Sequence, residues 1–450
     1  MFKGKNTAVL GLGLEGKDLV AFLLKEGAIV TVLDQKAKSE IDFSGVEREK
    51  ISLRSGENYL DKGLTEFDFV FRSPGVYRYI PELSEAEDKG VVISSAIKLF
   101  FDLCPGKTVG VTGTKGKGTT STLIHDILKK SGKDVYLAGN IGYPFLELLP
   151  KLKKESVVVL ELSSFQLIDL TKSPNVAVVL DITVDHLNWH KDIKEYVDSK
   201  RSAVKFQKHR DYSIINADYP TPMSFVKDAG GKILYFSRIK KVDGCYVLGK
   251  KIISSSLGEI GNTEDLLLRG KHNLENVTAA ICAASVLGTT NSQIKDAVFS
   301  FKGLEHRLEL VRKVNGVSFY NDSFATGPQP TIAAIISFSE PMTVIMGGSD
   351  KGLNYAELGS VISRSRNVEA VILVGATAEK IKNALKGAQF DRKIIEMGKS
   401  PMQDIVNKAF SVTPEGGVVL LSPASASFDM FKDYKERGNL FRKVVQELSP

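Results

Sequence analysis

Residues 109–120, Val-Gly-Val-Thr-Gly-Thr-Lys-Gly-Lys-Gly-Thr-Thr, constrain this chain more than any other stretch. A β-branched run enters a glycine-rich loop, Lys117 closes it, hydroxyls follow, and apolar residues then recur at helical spacing (Leu123, Ile124, Ile127, Leu128). That order reads as strand, phosphate loop, helix. Glycines let backbone N–H groups turn toward an anion, and the helix N-terminus adds a favourable dipole. Gly113, Thr114, Gly116 and Gly118 are the expected cradle, with Lys117 the cation on the terminal phosphates. Thr119 or Thr120 would offer a hydroxyl to Mg²⁺. The loop is shorter than G-x-x-x-x-G-K-[ST], and Gly118 stands where that pattern has a hydroxyl. The alternative is an ordinary glycine-rich turn.

A chain of 450 residues suggests about three domains, and a 43% apolar content is enough for each to bury a core. No apolar run reaches transmembrane length, and a strand beginning near residue 7 leaves no room for a signal peptide. Cys104, Cys245 and Cys282 are scattered without metal-ligand spacing, which fits buried thiols in a reducing cytoplasm. The net charge of +7 comes from basic residues dispersed among acidic ones. That pattern argues against a nucleic-acid groove and suits small anionic substrates.

The first hundred residues alternate β runs and helical patterns. Residues 7–10 form a β run, Gly11-Leu12-Gly13-Leu14-Glu15-Gly16 follows, and a helix carries Leu19, Val20, Leu23 and Leu24 on one face. A second run, residues 29–33, ends at Asp34. This is the dinucleotide fingerprint with its acidic residue, and taken alone it points to NAD(P) or another nucleotide diphosphate. Residues 99–106 read as a linker punctuated by Pro105-Gly106.

Two buried-strand patterns follow the phosphate loop, one ending at Glu161 and one at Asp181. Ligands of open parallel sheets gather at such strand ends, so both carboxylates are candidates for Mg²⁺. The loop 183–190 brings Asp185, His186 and His190 together and is a plausible metal or phosphate site. Lys200 falls in the helical stretch 193–204. An ammonium cannot ligate Mg²⁺, and the sequence alone makes Lys200 a surface lysine. Asn273 and Asn276 share a helical face suited to adenine or phosphate, with N-capping by Asn273 an equal alternative. A third α/β segment begins near residue 304, and polar loops follow its strands at 321–326, 347–352 and 422–429.

At this point the chain resembles the Mur ligases over essentially its full length. The resemblance rests on residues 11–14, Ser73-Pro74-Gly75, the phosphate loop, Gly139-Asn140-Ile141-Gly142 and Glu161-Leu162-Ser163-Ser164-Phe165-Gln166-Leu167. It continues through Asp185-His186-Leu187, residues 196–200, His272-Asn273 with Asn276, His306-Arg307, Asn321-Asp322-Ser323, Asp350-Lys351-Gly352 and residues 421–429. It implies an α/β protein of three domains: a Rossmann-like UDP-substrate domain (1–98), a P-loop ATPase-like domain with a parallel sheet (99–304), and a Rossmann-like domain (305–450) that takes the incoming amino acid and closes over ATP.

The implied reaction is ATP-dependent amide formation through an acyl phosphate, adding D-glutamate to UDP-N-acetylmuramoyl-L-alanine in the cytoplasm. The first glycine loop then holds uridine diphosphate instead of NAD, with Leu14, Glu15, Asp34, Gln35 and Ser73 nearby. Asn140, Gln166 and His186 would orient the same substrate. Lys117, Glu161, His186 and Lys200 are the implied catalytic group. Two Mg²⁺ would be held by Thr119, Glu161, His186 and a carbamylated Lys200. Asn273, Asn276, Arg307 and Asp322 would hold ATP. Lys351, Ser427 and Phe428 would bind glutamate, with Tyr434 lining that pocket. A monomer with no nucleic-acid or membrane partner is expected.

Two positions depart from the family. Phe324 replaces the lysine that usually follows Asn-Asp-Ser, which keeps L-glutamate open as the amino acid. The Lys117-Gly118-hydroxyl order is similar to folylpolyglutamate synthases, a rival that lacks the first domain. A nicotinamide oxidoreductase is a rival of another class, and it leaves the second phosphate loop without a role. A non-catalytic nucleotide-binding regulator is a third rival, against which Lys117, Glu161, His186, Lys200 and Asp322 together weigh.

Overall fold

The computed structural model describes residues 1–140 and 142–449; Ile141, part of the 139–142 motif, lies outside them. Among the described residues the strands form three sheets of five, nine and six. The first holds β1 (Asn6–Leu10), β2 (Ile29–Asp34), β3 (Ile51–Ser55), β4 (Phe69–Arg72) and β5 (Val92–Ser94), parallel throughout in the order β3-β2-β1-β4-β5. The helix Leu14–Lys25 buries Leu19, Val20 and Leu23, the stripe that a 3.6-residue period turns toward a core.

The expected linker at 99–106 begins as a helix. Ala96–Leu103 is helical, with Ser95 Oγ accepting from Lys98 N at 3.3 Å as its N-cap. Ile97, Phe100 and Phe101 fall on its buried face, and Phe100 meets Phe145 at 6.0 Å. Pro105-Gly106 marks where this helix has already ended, so the punctuation was read too far toward the N-terminus. One hydrophobic cluster runs from Val9 and Leu19 through Phe100 to Phe145, Leu160 and Val179.

The second sheet contains β6 (Lys107–Thr112), β7 (Val135–Gly139), β8 (Val157–Glu161), β9 (Val176–Val179), β10 (Tyr212–Asn216), β11 (Lys232–Ser237), β12 (Gly244–Leu248), β13 (Lys251–Ser254) and β14 (Gly258–Asn262). Its order is β14-β13-β12-β11-β10-β9-β6-β8-β7. Pairing is parallel from β7 to β12 and antiparallel from β12 to β14. The antiparallel end follows from its connections, which are too short for a parallel crossover. β6 lies between β8 and β9, with Val111 level with Glu161 and Thr112 with Val179. The chain runs from β6 to one side, toward β7, and from β9 to the other, toward β10, so the crevice opens between β6 and β9 at the carboxyl ends of these strands.

The third sheet holds β15 (Glu309–Val314), β16 (Val317–Asn321), β17 (Met342–Gly347), β18 (Val368–Val374), β19 (Lys393–Gly398) and β20 (Val418–Leu421), ordered β15-β16-β20-β17-β18-β19. Only β15 among them runs antiparallel to its neighbour. The chain divides into two compact units, one of residues 1–264 and 275–298, the other of residues 265–274 and 299 onward.

Candidate functional site

Within the first unit the phosphate loop leaves β6 and enters the helix Lys117–Lys130. Gly116 precedes this helix at φ +85°, and a Cβ there would overlap the Asn276 side-chain oxygen. Only glycine meets both demands. Lys117 is the first helical residue; its Nζ donates to the carbonyls of Gly113 and Thr114, both at 3.0 Å, so it curls back over the loop. Thr114 Oγ1 accepts from Thr183 N at 2.9 Å and lies 2.9 Å from the Tyr196 hydroxyl. Gly118 and Thr119 are buried against the sheet. Thr120 Oγ1 donates to Asn276 Oδ1 at 3.2 Å. Of the two hydroxyls open on sequence, Thr120 is engaged in helix packing.

Glu161 is the last residue of β8 and is buried. Asn140 N donates to its carbonyl at 3.3 Å, and Gly139, at φ +109°, lets β7 approach that carbonyl without a clashing Cβ. Asp181, beyond β9, accepts from Thr114 N through its carbonyl; burial holds its carboxyl above the usual range. His186 adopts a left-handed backbone (φ 54°), and its ring packs edge-on against Phe165 at 4.8 Å.

Lys200 is not on the surface. It is 2% exposed, its Nζ donates to Gly113 O at 3.1 Å, and it sits 4.8 Å from the Tyr196 ring centroid. The helix Ile193–Lys205 was legible, but the side of it that faces the phosphate loop was not. Burial, and then the neighbouring Lys117 charge, push the Lys200 ammonium well below the ordinary lysine range.

A cavity of about 320 Å³ is lined by Lys117, Glu161, His186 and Lys200 together with Glu15, Pro74 and Asn140. Gln166 Nε2 donates to Glu15 Oε1 at 2.6 Å, while Gln166 Oε1 accepts from Ser163 N at 2.9 Å. Nearby, Ser73 Oγ donates to Gly11 O at 2.7 Å. Asp34 accepts from Leu12 N at 2.8 Å and Lys36 N at 2.9 Å, so its carboxylate braces the first glycine loop. Leu14 and Gln35 are exposed beside that loop.

The sequence reading passed over Arg72. This fully buried guanidinium pairs with Asp169, donates to Phe165 O at 2.6 Å and to Ser73 O at 3.1 Å, and also binds Val76 O. It ties the Ser-Pro-Gly loop to the helix bearing Gln166. Its only signal in the sequence was a charge inside a strand pattern.

Asn273 lies inside the first turn of the helix Lys271–Val286, and its Nδ2 donates to Arg269 O at 2.6 Å; it is not the N-cap. In the second unit Asp322, beyond β16, accepts from Ser422 Oγ at 2.7 Å and Leu308 N at 3.2 Å. Burial raises its carboxyl to about 7 against these bonds and the Arg307 charge. Arg307 covers the Phe324 ring at 3.9 Å, and Lys351 Nζ lies 5.6 Å from the Phe428 ring centroid. Ser427 is buried and Phe428 exposed. Arg437, also missed on sequence, donates to Ser323 O at 2.9 Å and Ser425 O at 3.2 Å, fastening the loops that carry Phe324 and Ser427.

Among the described residues no group of three or more His, Cys, Asp and Glu side chains converges as a metal cage. The oxygen donors of Thr119 and Glu161 still suit Mg²⁺, which takes one or two protein ligands and completes its shell with phosphate and water. No helix of the described residues is long and apolar enough to cross a membrane.

Three family models match the chain: "Mur ligase MurD-like, N-terminal domain" over residues 5–95, "Mur ligase middle domain" over 111–284, and "Mur ligase, glutamate ligase domain" over 306–425. A UDP-N-acetylmuramoylalanine–D-glutamate ligase of Acetivibrio thermocellus is 40% identical over 461 residues, covering 99% of this chain and 97% of its own. The ligase of the same description from Clostridium novyi is 39% identical at the same coverage. Among solved structures, the UDP-N-acetylmuramate–alanine ligase MurC of Thermotoga maritima aligns with a TM-score of 0.60 at 17% identity, covering 98% of this chain and 99% of that one. That likeness is one of fold.

Proposed function

Because this chain belongs to the Mur ligase family, we propose that it joins D-glutamate to UDP-N-acetylmuramoyl-L-alanine in an ATP-dependent reaction of peptidoglycan precursor synthesis. The observation that carries this reading is the full-length likeness to D-glutamate ligases, joined to one cavity lined by Lys117, Glu161, Lys200, Glu15 and Asn140.

In this reading residues 1–98 take the UDP moiety through the loop 11–15, Asp34, Gln35 and Ser73. Residues 99–304 hold ATP and the reacting carboxylate, and residues 305–450 take up glutamate through Lys351, Ser427 and Phe428. A carboxylate oxygen of the alanyl group attacks the γ-phosphorus and ADP leaves. The glutamate amine then attacks the acyl carbon and phosphate leaves. The first step brings two anions together, so cations must neutralise the developing charge. Lys117 supplies one from the mouth of the loop. Asn140, Gln166 and His186 orient the acceptor, and Asn273, Asn276, Arg307 and Asp322 contact the nucleotide.

Thr119 and Glu161 would hold one Mg²⁺, and His186 with Lys200 a second. When bound, the ions supply positive charge against the phosphates. Lys200 serves only as a carbamate, because an ammonium has no lone pair. Its depressed pKa favours the neutral amine that combines with CO₂ and releases a proton. The product is an anion beside Lys117, which gives that cation an attractive partner. Intact-protein mass, with a CO₂ increment lost on acidification, tests that modification.

The deciding experiment is ATP-dependent phosphate release with UDP-N-acetylmuramoyl-L-alanine and D-glutamate, L-glutamate or no amino acid, with the product identified by mass. Product with D-glutamate supports the proposal. Product with L-glutamate alone keeps the chemistry and reverses the stereochemistry, the outcome Phe324 leaves open. No product with either overturns the acceptor assignment.

A further inference from the structure

We propose that Glu15 meets the acceptor substrate as a protonated, neutral carboxyl group, its Oε1 accepting from Gln166 and its enclosed Oε2 carrying the proton. The inference rests on reading the cavity beside Glu15 as the acceptor site.

The two carboxyl oxygens of Glu15 have different surroundings. Gln166 cannot flip its amide without losing its bonds from Ser163 N at 2.9 Å and Ser163 Oγ at 3.0 Å. Its Nε2 therefore faces Glu15 and occupies Oε1 at 2.6 Å. Glu15 Oε2 is inaccessible, and among the described residues no donor reaches it. An ionised carboxylate here would keep half its charge buried and unsolvated, a costly arrangement. A proton on Oε2 removes that charge from a residue that lines the cavity.

The charged neighbours act in both directions. Arg72 from β4 favours the carboxylate, but its guanidinium is already committed to Asp169 and to backbone carbonyls. Asp169 from the segment after Gln166, and Asp18 from the helix of Glu15 itself, favour the proton. The helix N-terminus favours the anion. Burial is the largest influence, and the carboxyl is pushed up to about 7.

A nucleotide-linked acceptor is itself anionic. A neutral Glu15 lines its site without repelling it. An ionised Glu15 adds like charge beside it. Affinity for the acceptor therefore falls as pH rises through this pKa.

The test measures KM for UDP-N-acetylmuramoyl-L-alanine from pH 6 to 9, with KM for ATP followed alongside. In the wild type the acceptor KM is level below pH 7 and then climbs toward about tenfold per pH unit, while the ATP value does not follow it. Glu15→Gln keeps one donor and one acceptor but cannot ionise, so its profile is level across the range. Glu15→Ala cannot ionise either, and its profile is also level. A level wild-type profile overturns the inference, even if neither variant folds. So does a climb that persists in Glu15→Gln. Absence of turnover with every amino acid at every pH overturns the acceptor reading instead.

Discussion

The guanidinium carbon of Arg307 stands 3.9 Å from the centroid of the Phe324 ring, and Tyr434 meets the same ring edge-on at 5.0 Å. The aromatic face steadies the cation, an interaction of about 0.5–1 kcal/mol at a partly exposed site. Phe324→Leu keeps bulk and removes the π-face, so kcat/KM should fall by roughly two- to fivefold. Phe324→Lys places a second cation beside Arg307 and should cost more. Steady-state kinetics with ATP and glutamate varied separately will show which substrate Arg307 serves.

Lys117→Ala removes the cation that covers the phosphate loop. The expected loss in kcat is about 10²–10³-fold, the scale for deleting one group aimed at transition-state charge. The melting temperature should hold, because the hydrogen bonds from Lys117 Nζ to the Gly113 and Thr114 carbonyls stay within the loop itself. Gly116→Val should fail differently, losing nucleotide affinity and stability together, since the left-handed backbone and the Asn276 oxygen both exclude its side chain. Calorimetric titration with ADP and a thermal melt separate the two.

Arg72→Leu leaves the Asp169 carboxylate buried without its principal counter-ion and frees the carbonyls of Ser73 and Phe165. A destabilisation of about 3–5 kcal/mol is expected, read from urea unfolding of the first unit. Arg72→Lys should recover little of it. A lysine point charge cannot reproduce a fork that reaches a carboxylate and several carbonyls at once.

Asp322 sets a pH dependence in the second unit. Its folded carboxyl titrates near 7, above the ordinary aspartate value of 3.8, because it is buried. Between those values the folded state holds more protons than the unfolded one, so stability falls as pH rises, by up to about 1.4 kcal/mol per pH unit. The contribution is favourable at and below pH 4 and fully lost above pH 7. Asp322→Asn should flatten this slope, as measured by urea unfolding of wild type and variant at pH 5 and pH 7.5.

Patterns along the chain determined most of the elements and their type. The run into Gly113, the alternation around residues 11–34, and the apolar runs ending at Glu161 and Asp181 were legible because local periodicity and glycine punctuation are local properties. So was the order of strand, glycine-rich loop and helix across residues 107–130. The half-exposed alternation of the strand Lys393–Gly398 is too weak to stand out, and residues 99–103 read as linker although they close the helix Ala96–Leu103.

What only the tertiary structure decided was which polar groups lose water and to whom they turn. Lys200 looks like any helical lysine until the helix face that meets Gly113 is known. Arg72 looks like a strand-end charge until Asp169, 97 residues away, comes to it. Glu15 becomes a proton-holding group only because Gln166, from a helix far along the chain, takes one oxygen and leaves the other dry. Hydrogen bonds and ionisation depend on burial and on partners far along the chain, and no local pattern carries that information.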